Sequence, residues 1–327
     1  VKMLHNETFR TPINPLFFEE KINFDSTILS IGSCFAQNIG QRLQENRFNI
    51  TINPYGVLYN PVSIFDNLLQ AFTDTEKVDE QMIIENEDFF KHFNFHSDIS
   101  GLSQEDLIDQ IKNIQQSTQN TLQKVDFLII TLGTSFVFKH NEHQQLVANC
   151  HKVPSKQFTQ ELLEVDQMME KFRELHTLLP QSCKVIFTVS PIRHFRNGLV
   201  DNSLSKSILR YFTHLVTSKY ENCFYFPAYE IMLDELRDYR FYTDDLVHPS
   251  KLAQDYIWSY FDQALIHEKT NSTRQKLDKV LKGLNHKPFN PQSTPHQKFL
   301  LKLLNISKSI KEVNVKDLIT EIEQRIN

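Results

Sequence analysis

Three short apolar runs decide what this chain can fold into: TILSI at 27–31, VDFLIITL at 125–132 and CKVIFTV at 183–189. Each has strand length and β-branched members, and reads as a strand buried on both faces. Each ends at a turn former: Gly32-Ser33, Gly133-Thr134-Ser135 and Ser190-Pro191. Helical spacing fills the gaps. Past Gly32, Phe35, Ile39 and Leu43 recur every four residues. Strand and helix alternating in this way predict the α/β class, with a mostly parallel sheet covered by helices on both faces.

The other elements fit around that frame. NITINPYGVLY at 49–59 reads as a strand and a shaped loop, and Asn60-Pro61 opens a helix. Residues 73 to 103 read as irregular. Residues 103 to 124 read as an amphipathic helix capped by Ser103, with Asp106 in a weak capping box. SFVFKHNEHQQLVA reads as an antiparallel hairpin inserted after the central strand. Residues 156 to 179 and 201 to 218 read as helices, CFYFPAYEIML as strand and loop, and a helix capped by Ser250 closes the unit. The expected division is a main domain over 1–265 and a basic, mostly helical extension over 266–327. From Asn271 onward, 11 Lys/Arg face 5 Asp/Glu, a formal charge of +6.

Composition excludes several classes. The whole chain of 327 residues carries a formal charge of -5, so no global attraction to nucleic acid is expected. Cys34, Cys150, Cys183 and Cys223 match no metal or redox spacing. The histidines have no tidy ligand spacing, so no metal is expected. Gly32 does not begin a G-x-G-x-x-G run, so no dinucleotide cofactor is expected. No signal-peptide core is visible and no run approaches the length of a membrane span. The chain is therefore expected to be soluble and cytoplasmic. Phe occurs 26 times against one Trp. The Phe-rich stretch at 88–95 and Tyr239 to Tyr242 are read as pocket walls, core, or dimer contacts.

In a doubly wound sheet ligands sit beyond the carboxyl ends of the strands. Ser33 falls there, between a strand and a helix. It is either the helix cap or a nucleophile facing unpaired amides and the positive helix end. Gly133, Thr134 and Ser135 fall at the same edge. Asp245 precedes His248 by three residues. The pair is either loop surface or a carboxylate fixing an imidazole tautomer so that the other nitrogen acts as base. Arg193 and His194 follow the third run, where Arg193 would bind an anionic substrate group, bind an internal carboxylate, or sit in solvent. Cys34 and Cys183 read as core, and Cys150-His151 as adjacent residues facing opposite ways.

The chain resembles the GSCFA domain family, named for the pentapeptide present at Gly32-Ser33-Cys34-Phe35-Ala36. FRTPINP at 9–15, NPYGVLYNP at 53–61, TLGTSFVF at 131–138, CHKVP at 150–154, TVSPIRH at 188–194 and DDLVHPS at 244–250 extend the resemblance over residues 9 to 262. That family is similar to the SGNH or GDSL-like hydrolases, which implies a three-layer, flavodoxin-like α/β/α fold. The resemblance also implies Ser33 as nucleophile, His248 as base, Asp245 as its orienting partner, and Gly56 as an oxyanion donor. The group's G-x-N-D block would fall near Gly133, where Gly133-Thr134-Ser135 lacks the Asn; a hydroxyl of Thr134 or Ser135, or a backbone N–H, would replace it as donor beside the Ser33 N–H. The implied activity is hydrolysis of an ester, on a small molecule, a glycan or a lipid. An acyltransferase and a silent binding protein on the same fold are the alternatives. Formation of a homo-oligomer stays open.

Overall fold

The computed structural model describes residues 11–14 and 16–326. Of the FRTPINP block, Phe9, Arg10 and Pro15 lie outside the described residues. The central sheet has five strands: β1 Thr27–Gly32, β2 Asn49–Ile52, β3 Phe127–Leu132, β4 Lys184–Val189 and β5 Cys223–Tyr225. Their order is β2-β1-β3-β4-β5 and every pairing is parallel. This is one of the two common doubly wound orders. The chain leaves β1 toward β2 on one side and returns to β3 on the other, so the crevice beyond β1 and β3 is the topological switch point.

Six helices cover the sheet: α1 Cys34–Glu45, α2 Pro61–Thr73, α3 Gln104–Leu122, α4 Val165–Leu178, α5 Gly198–Lys219 and α6 Lys251–Leu265. The period-two alternation of the strands sorts them into two layers. Ile28, Phe127, Ile129 and Ile186 pack with α1 and α6. Leu29, Ile31, Leu128, Ile130, Val185 and Phe187 pack with α2, α3, α4 and α5. The phenylalanines supply much of this second core. Phe172 sits with its ring centroid 5.7 Å from Phe65 and 5.1 Å from Phe187. Truncating such a ring to alanine costs about 3–5 kcal/mol.

Three segments differ from the sequence expectation. CFYFPAYEIML, read as strand and loop, is helical over Ala228–Glu230 and Ile231–Glu235. Residues 73 to 103 are not irregular: Ile83–Asn86, Phe89–His92 and Ser100–Gly101 form a small antiparallel sheet. Its hairpin turns on Glu87 and Asp88, both at positive φ (55° and 65°). That turn normally selects Asn-Gly or Asp-Gly, so these residues hide it. Phe93 and Phe95 on this segment are fully buried core side chains, while Phe89 is exposed. The expected helix over 156 to 179 also begins late. Phe158–Leu162 is a strand paired antiparallel with Phe136–His140, which also pairs with Leu146–Val147. The helix starts only at Val165, where Glu164 and Gln167 form a capping box.

The basic extension, expected to be mostly helical, holds three helices: α7 Asn271–Asn285, α8 Thr294–Lys308 and α9 Lys316–Arg325. They close a core of their own around Leu277, Val280, Leu303 and Ile322. Ion pairs between Arg47 and Asp317 (2.6 Å) and between Arg274 and Asp262 (2.5 Å) link them to the main unit. No helix among the described residues is long and apolar enough to cross a membrane.

Candidate active site

Ser33 is placed by the glycine before it. Gly32 has φ +135°, and a Cβ there would lie 2.1 Å from the Thr131 carbonyl oxygen. Only glycine lets β1 run this close to β3 and turn at once into a helix. The Gly32 N–H is donated to Asn53 Oδ1 at 2.9 Å, which anchors the turn on the β2 side. Ser33 then takes an extended conformation as the N-cap of α1, and its Oγ accepts the Phe35 N–H at 3.2 Å. The residue is 1% exposed. Ser33 is thus a helix cap, and it stands at the switch point between β1 and β3.

Asp245 and His248 form a tight dyad. Asp245 Oδ2 meets His248 Nδ1 at 2.7 Å. Its Oδ1 accepts the Thr243 hydroxyl at 2.7 Å and the N–H groups of Val247 and His248 at 2.8 and 3.0 Å. Leu246 bends through φ +57° to make this nest. The His248 amide first, then the Thr243 hydroxyl, the His248 ring and the Val247 amide hold the Asp245 carboxyl far below the usual carboxylate range. A carboxylate at Nδ1 places the ring proton there and leaves Nε2 as the acceptor. Both side chains are half exposed. The Gln254 side chain ties this loop to the serine helix: it donates to the Pro249 carbonyl at 2.9 Å and accepts from Asn38 Nδ2 of α1 at 2.8 Å. No hydrogen bond joins His248 to Ser33 among the described residues.

The glycine and serine amides expected to stabilise an oxyanion are already engaged. The Ser33 N–H is donated to the Thr131 carbonyl at 3.1 Å, and the Gly56 N–H to the Asn53 carbonyl at 2.8 Å. The N–H groups of Gly133 and Thr134 both go to the Tyr59 carbonyl, at 2.7 and 3.0 Å. The hydroxyls of Thr134 and Ser135 bond to Ser205 Oγ of α5, each at 3.1 Å. In this structure Gly133, Thr134 and Ser135 thus act as a strap rather than as donors aimed outward. The physical reason is burial, because an enclosed amide without water must find a protein acceptor. The Cys34 N–H, first in the helix, has no acceptor among the described residues.

Arg193 serves its own loop. Its guanidinium carbon lies 4.2 Å from the Tyr242 ring centroid and 5.1 Å from that of Tyr239. Its N–H is donated to the Val247 carbonyl at 3.2 Å, one residue from His248. The residue therefore braces the dyad loop, and Tyr239 and Tyr242 are its stacking partners. His194 points elsewhere: its N–H goes to Asn202 Oδ1 at 2.9 Å, and its ring lines a separate cavity. Desolvation, then the charges of Lys206 and Arg196, push its pKa down.

Two features escaped the sequence. The Tyr59 hydroxyl lies 3.5 Å from Cys34 Sγ, over the first turn of α1. Burial, and then the Cys34 thiol, raise its pKa, so it remains a proton-bearing donor. It sits in the NPYGVLYNP block, and that block was the available signal. Lys206 is fully buried and donates to the carbonyls of Gly133 at 2.7 Å and Ser190 at 2.8 Å. It ties together the carboxyl ends of β3 and β4. Its spacing on α5 gave no hint, because a lysine on a helix normally reads as surface. His92 and His151 spend their ring nitrogens on backbone and Ser97 partners. No group of three or more His, Cys, Asp or Glu among the described residues is arranged to hold a metal.

The family model described as the GSCFA family matches residues 27–261, a span that starts with β1 and ends within α6. The chain belongs to the GSCFA family. A second model, described as the GSCFA domain protein C-terminal domain, matches residues 277–327 and takes in most of the separate helical core. No curated protein and no solved structure matches the chain. In this GSCFA protein the naming pentapeptide is thus the turn out of β1 and the first turn of α1.

Proposed function

We propose that this GSCFA protein is a serine hydrolase of the esterase or deacylase type, on an SGNH-like version of the doubly wound fold. The observation that carries the proposal is the Asp245–His248 dyad, pinned at 2.7 Å and tied through Gln254 to the helix that Ser33 caps. In the reaction, His248 Nε2 takes the Ser33 hydroxyl proton as Oγ attacks the ester carbonyl. The alcohol leaves with that proton, and an acyl-Ser33 ester remains. His248 then deprotonates a water, which releases the acid and restores Ser33. Asp245 fixes the imidazole tautomer and stabilises its cationic form. On this reading the Cys34 amide, at the positive end of α1, and the Tyr59 hydroxyl would meet the oxyanion.

A second reading is a binding protein on the same fold. The engagement of the Ser33 side chain as a helix cap and of its N–H by Thr131 favours it. A fluorophosphonate probe separates the two. The hydrolase is labelled on Ser33, loses labelling in Ser33→Ala, and loses most of it in His248→Ala. A folded wild type that takes no label, and turns over no short-chain nitrophenyl ester, sinks the hydrolase reading.

A further inference from the structure

A cavity of about 330 Å³ opens beside the candidate active site. Its volume lies at the lower end of small-ligand pockets. One wall is the inserted antiparallel sheet, with Phe136, Phe138 and Phe158. The segment carrying His194 and Arg196 also lines it. Tyr59 and Thr134 also line it. Tyr59 in turn touches Cys34, so the cavity adjoins the first turn of α1.

The lining has an uneven chemistry. Aromatic and aliphatic side chains share the lining with neutral polar ones, and no Asp or Glu is among the lining residues. Three of its polar groups are already committed. Lys152 pairs with Glu87 at 3.0 Å. His151 bonds through both ring nitrogens to Ser97 and the His92 carbonyl. Burial pushes the Cys150 thiol up, which keeps it neutral. Arg196 is different. Its guanidinium carbon stacks 4.5 Å from the Phe138 ring centroid, and it has no carboxylate partner among the described residues. Its position over the ring leaves its N–H groups for an acceptor. A planar fork without a counter-ion, over an aromatic ring, matches a carboxylate or phosphate on a hydrophobic body.

We propose that this cavity binds an anion carried on an apolar or aromatic body, with Arg196 holding the carboxylate or phosphate and the Phe136–Phe138–Phe158 wall holding the body. Binding itself is independent of the chemistry at Ser33. That the bound anion forms part of the ester substrate rests on the hydrolase reading.

The test is calorimetric titration with 4-phenylbutanoate, phenyl phosphate and the neutral 4-phenylbutanamide. The proteins are the wild type, Ser33→Ala, Arg196→Met and Phe138→Ala. Ser33→Ala removes any turnover and is expected to bind like the wild type. At least one anion is expected to bind more tightly than the amide, and its carboxylate or phosphate identity names the head group. Arg196→Met is expected to raise the Kd of that anion at least tenfold, about 1.4 kcal/mol, and to leave the amide unchanged. Phe138→Ala is expected to weaken anion and amide together. Arg196 is exposed, so its variant is expected to keep the wild-type melting curve. The proposal is overturned if neither anion outbinds the amide, or if Arg196→Met retains wild-type affinity. Anion binding without any ester turnover would count against the hydrolase reading and leave this one standing.

Discussion

Lys206→Met is the most informative single change in the fold. The lysine is fully buried, and burial pushes its pKa from 10.5 down to about 7. A neutral amine has two N–H donors, matching its two acceptors, the carbonyls of Gly133 and Ser190. The ammonium form brings a third donor, for which the described residues offer only the Tyr229 ring face, with its centroid 5.9 Å from Nζ. Holding the charged form inside is disfavoured by about 4–5 kcal/mol relative to water, since each tenfold change in the protonation equilibrium is worth about 1.4 kcal/mol. Methionine keeps the aliphatic stem and removes this penalty. It also strands two carbonyls, at about 1–3 kcal/mol each. The two effects nearly cancel at neutral pH, so stability at one pH is a poor readout.

The pH slope is a good one. Between pH 7 and 10.5 the unfolded chain holds the Lys206 proton and the folded chain has released it. Stability therefore rises with pH through that window. Below pH 7 both states hold the proton and the burial penalty is felt in full. From about pH 7.5 to about pH 9.0 the wild type is expected to gain about 2 kcal/mol relative to Lys206→Met. Urea unfolding followed by Trp258 reads this directly, because the single tryptophan lies on α6 of the main domain. Parallel pH dependences for wild type and variant would refute the reasoning. They would mean that the ammonium is held charged by its two carbonyls.

Three further changes test the site. Asp245→Asn is expected to lower kcat/KM for a nitrophenyl ester by about 10²–10⁴-fold, since the amide no longer fixes the His248 tautomer. Circular dichroism should show the fold intact, because the loop is exposed. Tyr59→Phe is expected to lower kcat about 10²-fold with little change in KM if the hydroxyl meets the oxyanion. An unchanged kcat would remove it from that role. Gly32→Ala is expected to destabilise the protein by more than about 3 kcal/mol, read by thermal melting, because the new Cβ collides with the Thr131 carbonyl at positive φ.

The sheet was legible in the sequence because its strands are buried on both faces. TILSI, VDFLIITL and CKVIFTV stand out as apolar runs, and a parallel sheet under two helical layers requires such runs. The small sheet over 83–101 was harder: its strands have two to four residues, are partly exposed, and its hairpin turns on Glu87-Asp88 rather than on a glycine pair. The 136–147 hairpin of the second sheet was legible, and its third strand, Phe158–Leu162, was not. Ser33, Asp245 and His248 were legible as local patterns, a strand-to-helix turn and a D-x-x-H spacing. The tether through Asn38, Gln254 and Pro249 was not, since its partners lie 216 and 5 residues apart. Arg193 was legible as a residue at the working edge of the sheet, but its stacking on Tyr239 and Tyr242 depends on a loop distant in sequence.

The engaged amides change where an oxyanion can be met. A donor that already serves a buried carbonyl at 2.7–3.1 Å is not available to a substrate unless that carbonyl finds another partner. Ser33, Gly56, Gly133 and Thr134 are all in this position. They hold β1, the Asn53–Gly56 turn, the Tyr59 loop and β3 in register with one another. Gly133-Thr134-Ser135, where the proposed likeness to SGNH hydrolases would put a G-x-N-D block, falls within this strap. Thr134 takes part in a hydroxyl network with Ser205, and Lys206 secures the carbonyl of Gly133 from beneath. The strand ends are thus spent on rigidity, and on the proposed hydrolase reading the oxyanion would be met from the helix side of the crevice. The Cys34 amide lies there at the start of α1, with the Tyr59 hydroxyl above it. The cysteine and tyrosine therefore matter for what they place beside Ser33. On the proposed hydrolase reading, the cysteine would contribute its backbone N–H rather than its thiol, and the tyrosine its hydroxyl, whose pKa burial raises further.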